Sequence, residues 1–223
     1  MASGSVKRLR LACQATVHSG DYARGGLTRG ANQASDHDLG CKEQYVPCGI
    51  VDDESAERTL TFGSSDKTSD CIVDALAARG DAGDAHEPAA TSLLPITMDN
   101  GPESRGRRTP FLYRLVPLAD AMNKPMQLLY SPPSHSTYKP IERGWGILEL
   151  KWKGTKLIDA ETRLEWAKRM TWKGRHPVVA LSHKVYPKGI ALGKAAMPAV
   201  EKRLERHPAW PKYDILINPA PTS

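Results

Sequence analysis

The sequence predicts an α/β protein in which a mixed sheet is flanked by helices. Three observations carry this prediction. Strand-like runs open the chain at 7–17, 45–51 and 58–63. Helical and strand-like segments then alternate over residues 67–152. A basic segment follows, which we expect to form a largely helical extension.

The strands are predicted from alternating patterns and from short apolar runs bounded by turn residues. The Leu-Arg-Leu-Ala-Cys sequence in 7–17 alternates between two faces. Leu93–Met98 has the composition of a buried strand, although Pro95 removes one hydrogen bond from its ladder. The last two predicted strands are Met126–Tyr130 and Tyr213–Ile217.

Helices are predicted where apolar residues recur at helical spacing. Segment 107–122 has this spacing but contains Pro117, which predicts a kink. Pro140 stands at the first position of another helix, where proline is favoured. Segments 18–41 and 79–90 have the composition of loops. The predicted helices span about 67–78, 107–122, 140–152 and 160–171, and most of 176–206.

The predicted order is three strands, helix, strand, helix, strand, helix, which is the element order of a ribonuclease-H-like fold. We therefore expect a ribonuclease-H-like mixed sheet flanked by helices in residues 1–155. Residues 156–223 should form a basic helical C-terminal extension that packs on this domain.

Composition indicates a protein that works in the cytoplasm without a membrane partner. The chain has 223 residues, which is long enough to bury a core, and a mean hydropathy of −0.46. No apolar run approaches the length of about 20 residues that spans a membrane, and the first residues lack the apolar centre of a signal peptide. The four cysteines have no CxxC spacing, which favours buried or incidental thiols over a zinc site or disulfides.

The net charge of +6 divides sharply along the chain. Residues 1–104 contain nine Lys and Arg against sixteen Asp and Glu, whereas residues 105–223 contain twenty-two against nine. A basic half of this kind can bind a polyanion by neutralising phosphates and releasing counterions. A solvated basic surface without a ligand is the alternative.

Two acidic residues at the ends of predicted elements are candidate metal ligands. Asp99 follows the strand that ends at Met98, and Glu142 lies in the first turn of the helix that begins at Pro140. Carboxylates from separate elements can together hold Mg²⁺ for phosphoryl transfer. The alternative is that Asp99 is an ordinary turn residue and that Glu142 only stabilises the helix by interacting with its dipole.

Longer stretches around both residues resemble the catalytic segments of DDE transposases. Residues 99–103 read Asp-Asn-Gly-Pro-Glu, and residues 138–146 read Tyr-Lys-Pro-Ile-Glu-Arg-Gly-Trp-Gly. They are similar to the second and third acidic motifs of bacterial insertion-sequence transposases of the ISAzo group, relatives of the mariner superfamily. Further similar stretches extend from about residue 9 to residue 217.

The resemblance implies a DDE catalytic domain that cleaves and joins DNA at transposon ends with two Mg²⁺ ions, for which Mn²⁺ can substitute. Asp99 falls on the second catalytic acid and Glu142 on the third, and both would be metal ligands. The family's first acid precedes the sequence Cys-Lys-Ala-Thr-Val, and Ala12 holds that position here. We therefore expect weakened metal binding and impaired catalysis.

The resemblance also implies a missing segment. Family members usually carry an N-terminal helix-turn-helix region, whereas this sequence begins almost at the first strand, so we expect a truncated chain that does not recognise transposon ends by sequence. Contacts to DNA phosphates are still expected from basic residues near the two motifs. These candidate DNA-binding residues are Arg107, Arg108, His135, Lys139 and Arg143.

Two functional hypotheses therefore stay open. The chain is a truncated transposase catalytic domain with residual or no activity, or it is a non-catalytic DNA-associated remnant. In the second case it could act as a dimerising inhibitor of an intact transposase. The partners expected are DNA and either a second copy of the chain or an intact transposase. An unrelated basic α/β domain is the third alternative.

Overall fold

The computed structural model describes residues 7–19, 43–83, 93–131, 140–189, 192 and 196–221. Within these residues, nine strands form one mixed sheet that is accompanied by five helices. The strands are β1 (Leu9–Cys13), β2 (Val17–His18), β3 (Gln44–Asp52), β4 (Arg58–Gly63), β5 (Leu94–Met98), β6 (Met126–Tyr130), β7 (Val178–Ser182), β8 (Leu204–Arg206) and β9 (Asp214–Ile217). The helices are α1 (Ser69–Gly83), α2 (Thr109–Met122), α3 (Pro140–Trp152), α4 (Ala160–Lys168) and α5 (Ala196–Glu201).

The centre of the sheet has the strand order β4-β3-β1-β5-β6. Strand β3 is antiparallel to both β1 and β4, whereas β5 is parallel to β1 and β6 is parallel to β5. The parallel strands are joined through helices, as crossover connections require. Three antiparallel strands followed by two parallel ones give the ribonuclease-H-like fold, so the predicted fold class is confirmed.

Helices cover both faces of the sheet. The first core lies under α1, α2 and α5 and includes Leu11, Ile96 and Met98. The second core lies under α3 and α4 and includes Ala12, Trp145 and Trp152. No helix within the described residues is long and apolar enough to cross a membrane. The two cores make the faces of β1 and β5 inequivalent, which matters for the site.

Most predicted elements are confirmed, with differences at their ends. The predicted strand 7–17 is two strands, because pairing with β3 stops after Cys13 and resumes at Val17. Helix α1 continues to Gly83, so the first five residues of the predicted connector 79–90 are helical. Pro117 lies inside α2, which continues to Met122.

Pro95 lies inside β5 without interrupting it. The backbone N–H of Leu94 donates to the Pro125 carbonyl on the β6 side, at 2.9 Å. Because successive residues of a strand present their N–H groups to opposite neighbours, position 95 faces the β1 side. Pairing with β1 begins one residue later, at Ile96 opposite Leu9. The backbone N–H that Pro95 lacks would therefore lie just outside the ladder with β1, and no hydrogen bond of that ladder is lost.

The prediction that residues 176–206 are largely helical is wrong. Strand β7 extends the sheet beside β4, and β8 pairs with β9 at the opposite edge. The only described helix in this segment is the six-residue α5. The valines at 178 and 179 favour a strand, and β7 satisfies the backbone groups of β4 that would otherwise stay unpaired. The division into 1–155 and 156–223 stays a prediction.

Candidate active site

Asp99 lies immediately after β5, at the end of the sheet where β1 and β5 finish, and its side chain is exposed. The turn that follows is tied down by hydrogen bonds. The backbone N–H of Arg105 donates to the Gly101 carbonyl at 2.8 Å, and the Ser104 hydroxyl donates to the Asp99 carbonyl at 3.2 Å. The Tyr130 hydroxyl donates to the Ser104 carbonyl at 2.6 Å. The position of Asp99 is therefore fixed from several sides.

Ala12 is the neighbour of Asp99 on the adjacent strand. The register pairs Leu11 of β1 with Met98 of β5, and both of these side chains pack in the first core. Because side chains alternate along a strand, Ala12 and Asp99 belong to the opposite face, on which α3 packs. Ala12 belongs to the second core and is 6% exposed. A methyl group therefore occupies the strand position beside Asp99.

Glu142 lies in the first turn of α3, close to this strand end. The preceding residue, Ile141, lines a small cavity together with Arg10, Thr97 and Asp99. Ile141 also packs in the same core as Ala12. The structure thus brings Ala12, Asp99 and the start of α3 together. The roles of Asp99 and Glu142 as catalytic and metal-binding residues stay predictions.

The start of α3 is held by a buried arginine from β4. Arg58 is 3% exposed and donates to the Pro140 carbonyl at 3.2 Å, and its guanidinium stacks on Trp172 at 4.8 Å. Burial lowers the pKa of Arg58 to about 10. A Cβ at Gly144 would collide with this guanidinium, so the glycine leaves the space that the Arg58 side chain occupies against α3. Arg58 therefore positions the helix that carries Glu142.

Gly49 of β3 is the second point at which α3 approaches the sheet, and it pairs with Ala12 in the register. A Cβ at Gly49 would lie 2.7 Å from both Ile141 Cδ1 and Trp145 Cζ2. We expect Gly49→Ala to lower the free energy of unfolding by about 1–3 kcal/mol, as overpacking of a core does. Urea unfolding followed by circular dichroism measures the change.

Gly146 supplies the matched control for this substitution. It lies on the exposed side of α3, and a Cβ there would meet nothing within 4 Å. Because alanine is a better helix former than glycine, Gly146→Ala should raise the free energy of unfolding by up to about 1 kcal/mol. Equal effects of the two substitutions would contradict the close packing of α3 on β3.

The described side chains at this end of the sheet do not by themselves complete a two-metal site. Over the described ranges, no group of three or more His, Cys, Asp or Glu side chains could hold a metal ion. The resemblance implies three converging carboxylates, of which Ala12 removes one. Arg10 lies two residues before Ala12 on β1 and adds a positive charge to the cavity that Asp99 lines. Its Nε also contacts Asp53, at 2.6 Å. The donor set is incomplete.

Two thiols lie beside Ala12 but belong to the other side of the sheet. Cys13 and Cys48 are directly opposite each other on β1 and β3, and both pack with the first core. A hydrogen bond from Cys48 lowers the pKa of Cys13, and the same bond together with burial raises the pKa of Cys48. Cys48 and Cys71 are buried, as predicted for the thiols. Cys41 lies outside the described residues.

The predicted DNA-binding residues fall on two sides of Asp99. Arg107 and Arg108 follow the turn after Asp99 and precede α2, and Arg143 is exposed beside Glu142. All three therefore lie near the strand end that carries Asp99. Their DNA contacts stay predictions. The other two candidates, His135 and Lys139, lie outside the described residues.

Sequence reasoning missed two cations beside Arg107. Arg105, Arg107 and Lys212 line one open groove, together with Gly106 and with Asn100, the residue after Asp99. The run Arg-Gly-Arg-Arg at 105–108 could have identified Arg105. Nothing in the sequence connects it to Lys212, which reaches the groove only because β9 pairs with β6.

Comparisons with known proteins show the family to which the sequence belongs. Residues 2–219 match the family model described as "Rhodopirellula transposase DDE domain". A search of curated proteins found no match. A similar solved structure is the HTLV-2 integrase catalytic core domain in complex with magnesium (dimeric form), at 14% identity, covering 78% of this chain and 95% of that one. Its TM-score is 0.41, so the family assignment depends on the family model alone. Since that model matches nearly the whole sequence, the chain belongs to the Rhodopirellula transposase DDE domain family.

Proposed function

We propose that this chain is a transposase catalytic domain that binds DNA through its phosphates but does not cleave or join it with Mg²⁺. The observation that carries the proposal is the buried methyl group of Ala12 beside Asp99, at the end of two parallel strands. The family match supports the transposase assignment. The basic groove that begins at Asn100 supports phosphate binding.

The proposed loss of activity follows from charge. In two-metal phosphoryl transfer, ions roughly 3.5–4 Å apart stabilise the attacking and leaving oxygens of the phosphodiester. Two carboxylates near a DNA phosphate repel it unless bound cations offset their charge. Asp99 and Glu142 lack the third carboxylate that would hold such cations, and the charge of Arg10 in the same cavity is already paired with Asp53. DNA can therefore be held at this edge without being cleaved.

A nicking assay tests the loss of activity. Supercoiled plasmid incubated with the purified chain and Mg²⁺ or Mn²⁺ should stay intact at the level of the buffer control. An Asp99→Asn variant purified in the same way serves as a matched control for contaminating nucleases. Nicking by the unaltered chain that Asp99→Asn abolishes would contradict the proposal, because the cleavage would then depend on Asp99.

DNA binding itself should be weak, steeply dependent on salt and indifferent to sequence. Each phosphate contact on duplex DNA contributes about −0.9 to the slope of log K against log salt, so Arg107→Gln should reduce the slope by about one. Filter binding with two unrelated duplexes measures both quantities. A strong preference for one duplex would be evidence of base readout, since phosphate contacts do not specify sequence.

The finer classification and the protein partner are part of the proposal. The motifs around Asp99 and Glu142 support membership of the ISAzo group within the mariner superfamily. A second copy of the chain or an intact transposase is the expected protein partner, and light scattering of the purified chain measures the first of these. A dimeric mass would favour the inhibitor hypothesis.

A further inference from the structure

The groove beside Asp99 is lined by cations without an accompanying acid. Arg105, Arg107 and Lys212 contribute three positive charges, and no Asp or Glu among the residues that the structure describes lines the groove. Within the described part of the chain, none of the three side chains forms an ion pair. Arginine and lysine that protein carboxylates do not neutralise can bind phosphates.

The walls of the groove are fixed relative to each other. A Cβ at Gly106 would lie 2.6 Å from the Lys212 carbonyl oxygen and 2.7 Å from Ile215 Cδ1, so the two backbones are in close contact. Arg206 donates to the carbonyls of both Gly106 and Pro211, each at 2.9 Å. Glu201 holds the same guanidinium through two hydrogen bonds, at 2.7 and 3.0 Å. The three cations therefore stand on a preorganised frame.

An exposed tryptophan lies on the same turn as Lys212. The turn between β8 and β9 is closed by the hydrogen bonds of the Trp210 N–H to the His207 carbonyl, at 3.1 Å, and of the Tyr213 N–H to the Trp210 carbonyl, at 2.9 Å. The side chain of Trp210 is 61% exposed, whereas Trp145 and Trp152 are buried. Trp210 therefore presents a large aromatic ring to water, two residues along the chain from Lys212, and an unpaired base can stack on such a ring.

A duplex does not use these features together. The bases of a duplex are stacked on each other and do not offer their faces to Trp210. A single strand offers phosphates to the groove and a base to the ring at the same time, which is the combination found in proteins that bind single strands without sequence preference. From this juxtaposition we infer that Arg105, Arg107, Lys212 and Trp210 form a binding site for a single DNA strand beside Asp99. The inference rests on the proposed DNA-binding function and deepens it.

The test measures the binding of the full chain to a fluorescein-labelled oligothymidylate and to a duplex of the same length, by anisotropy at several salt concentrations. The single strand should bind more tightly than the duplex. Arg105→Gln and Lys212→Gln should each reduce the salt slope by about 0.7, the value for one phosphate contact on a single strand. Trp210→Ala should weaken binding roughly 5- to 150-fold without changing the slope. The intrinsic tryptophan emission should be quenched by the strand only while Trp210 is present.

Lys153→Gln is the matched control for charge. Lys153 is exposed and follows the far end of α3, about 16 Å along the helix axis from Glu142. This variant should keep the affinity and slope of the unaltered chain. Circular dichroism checks that every variant is folded.

Three results would overturn the inference. Groove variants that bind like Lys153→Gln would refute the site while leaving DNA binding, and hence the proposed function, intact. Unchanged affinity of Trp210→Ala together with a changed oligomeric mass would assign Trp210 to a protein interface instead. No binding of either DNA by the unaltered chain would refute both the site and the DNA-binding function.

Discussion

Ala12→Asp should markedly raise the affinity of the chain for Mn²⁺, which we expect to be weak in the unaltered chain. The substitution adds a third carboxylate beside Asp99 and near Glu142, which is the donor set that the two-metal reaction requires. Isothermal titration calorimetry on both chains measures the difference. DNA cleavage should recover less completely than metal binding, because a bound metal is only the first requirement of the reaction.

Ala12→Asp should also change the free energy of unfolding, in opposite directions without and with metal. Position 12 is 6% exposed, so a carboxylate there loses hydration and should destabilise the metal-free chain. Mn²⁺ at about a hundred times its Kd should then raise the free energy of unfolding by about 2.7 kcal/mol. Ala12→Asn is the matched control, because it has nearly the same shape without the charge and should gain little from metal. Equally tight Mn²⁺ binding by the unaltered chain would show that position 12 is not a ligand position.

Trp145→Ala should lower the free energy of unfolding by about 3–5 kcal/mol, the usual cost of removing a large aromatic side chain from a core. Trp145 is 2% exposed on α3, one turn after Glu142, and it packs against Gly49 of β3. The cavity would loosen the face of α3 that keeps Glu142 near Asp99. Urea unfolding at an unchanged m-value isolates the loss of stability from any change in the unfolded state.

Trp210→Ala provides the comparison for this experiment. It removes the same side chain from a position that is 61% exposed, so its effect should stay within about 0.5 kcal/mol. A similar cost for the two substitutions would mean that α3 does not pack on the sheet as described. The comparison also shows whether Trp210→Ala is folded when its DNA binding is measured.

Local patterns in the sequence determined most of the elements and the neighbourhood of the site. The apolar stripe of α3, with Trp145 and Trp152, predicted a helix with the correct bounds because its spacing matches the helical period. The apolar run that ends at Met98, together with the Gly-Pro turn at 101–102, predicted that Asp99 comes directly after a buried strand. These features depend on residues that are close in the chain, so a single sequence contains the whole signal.

Only the tertiary structure decided which distant segments meet. Residues 178–182 form a strand because the edge of β4 offers them backbone partners, and the position of that edge is not encoded in the segment itself. Lys212 is more than a hundred positions after Arg105 in the chain. The two residues line the same groove because β9, which follows Lys212, pairs with β6. The exposure of Trp210 depends on the turn that β8 and β9 make together. Strand pairing and burial depend on contacts between segments that are far apart in the chain, and the spacing of neighbouring residues does not encode such contacts.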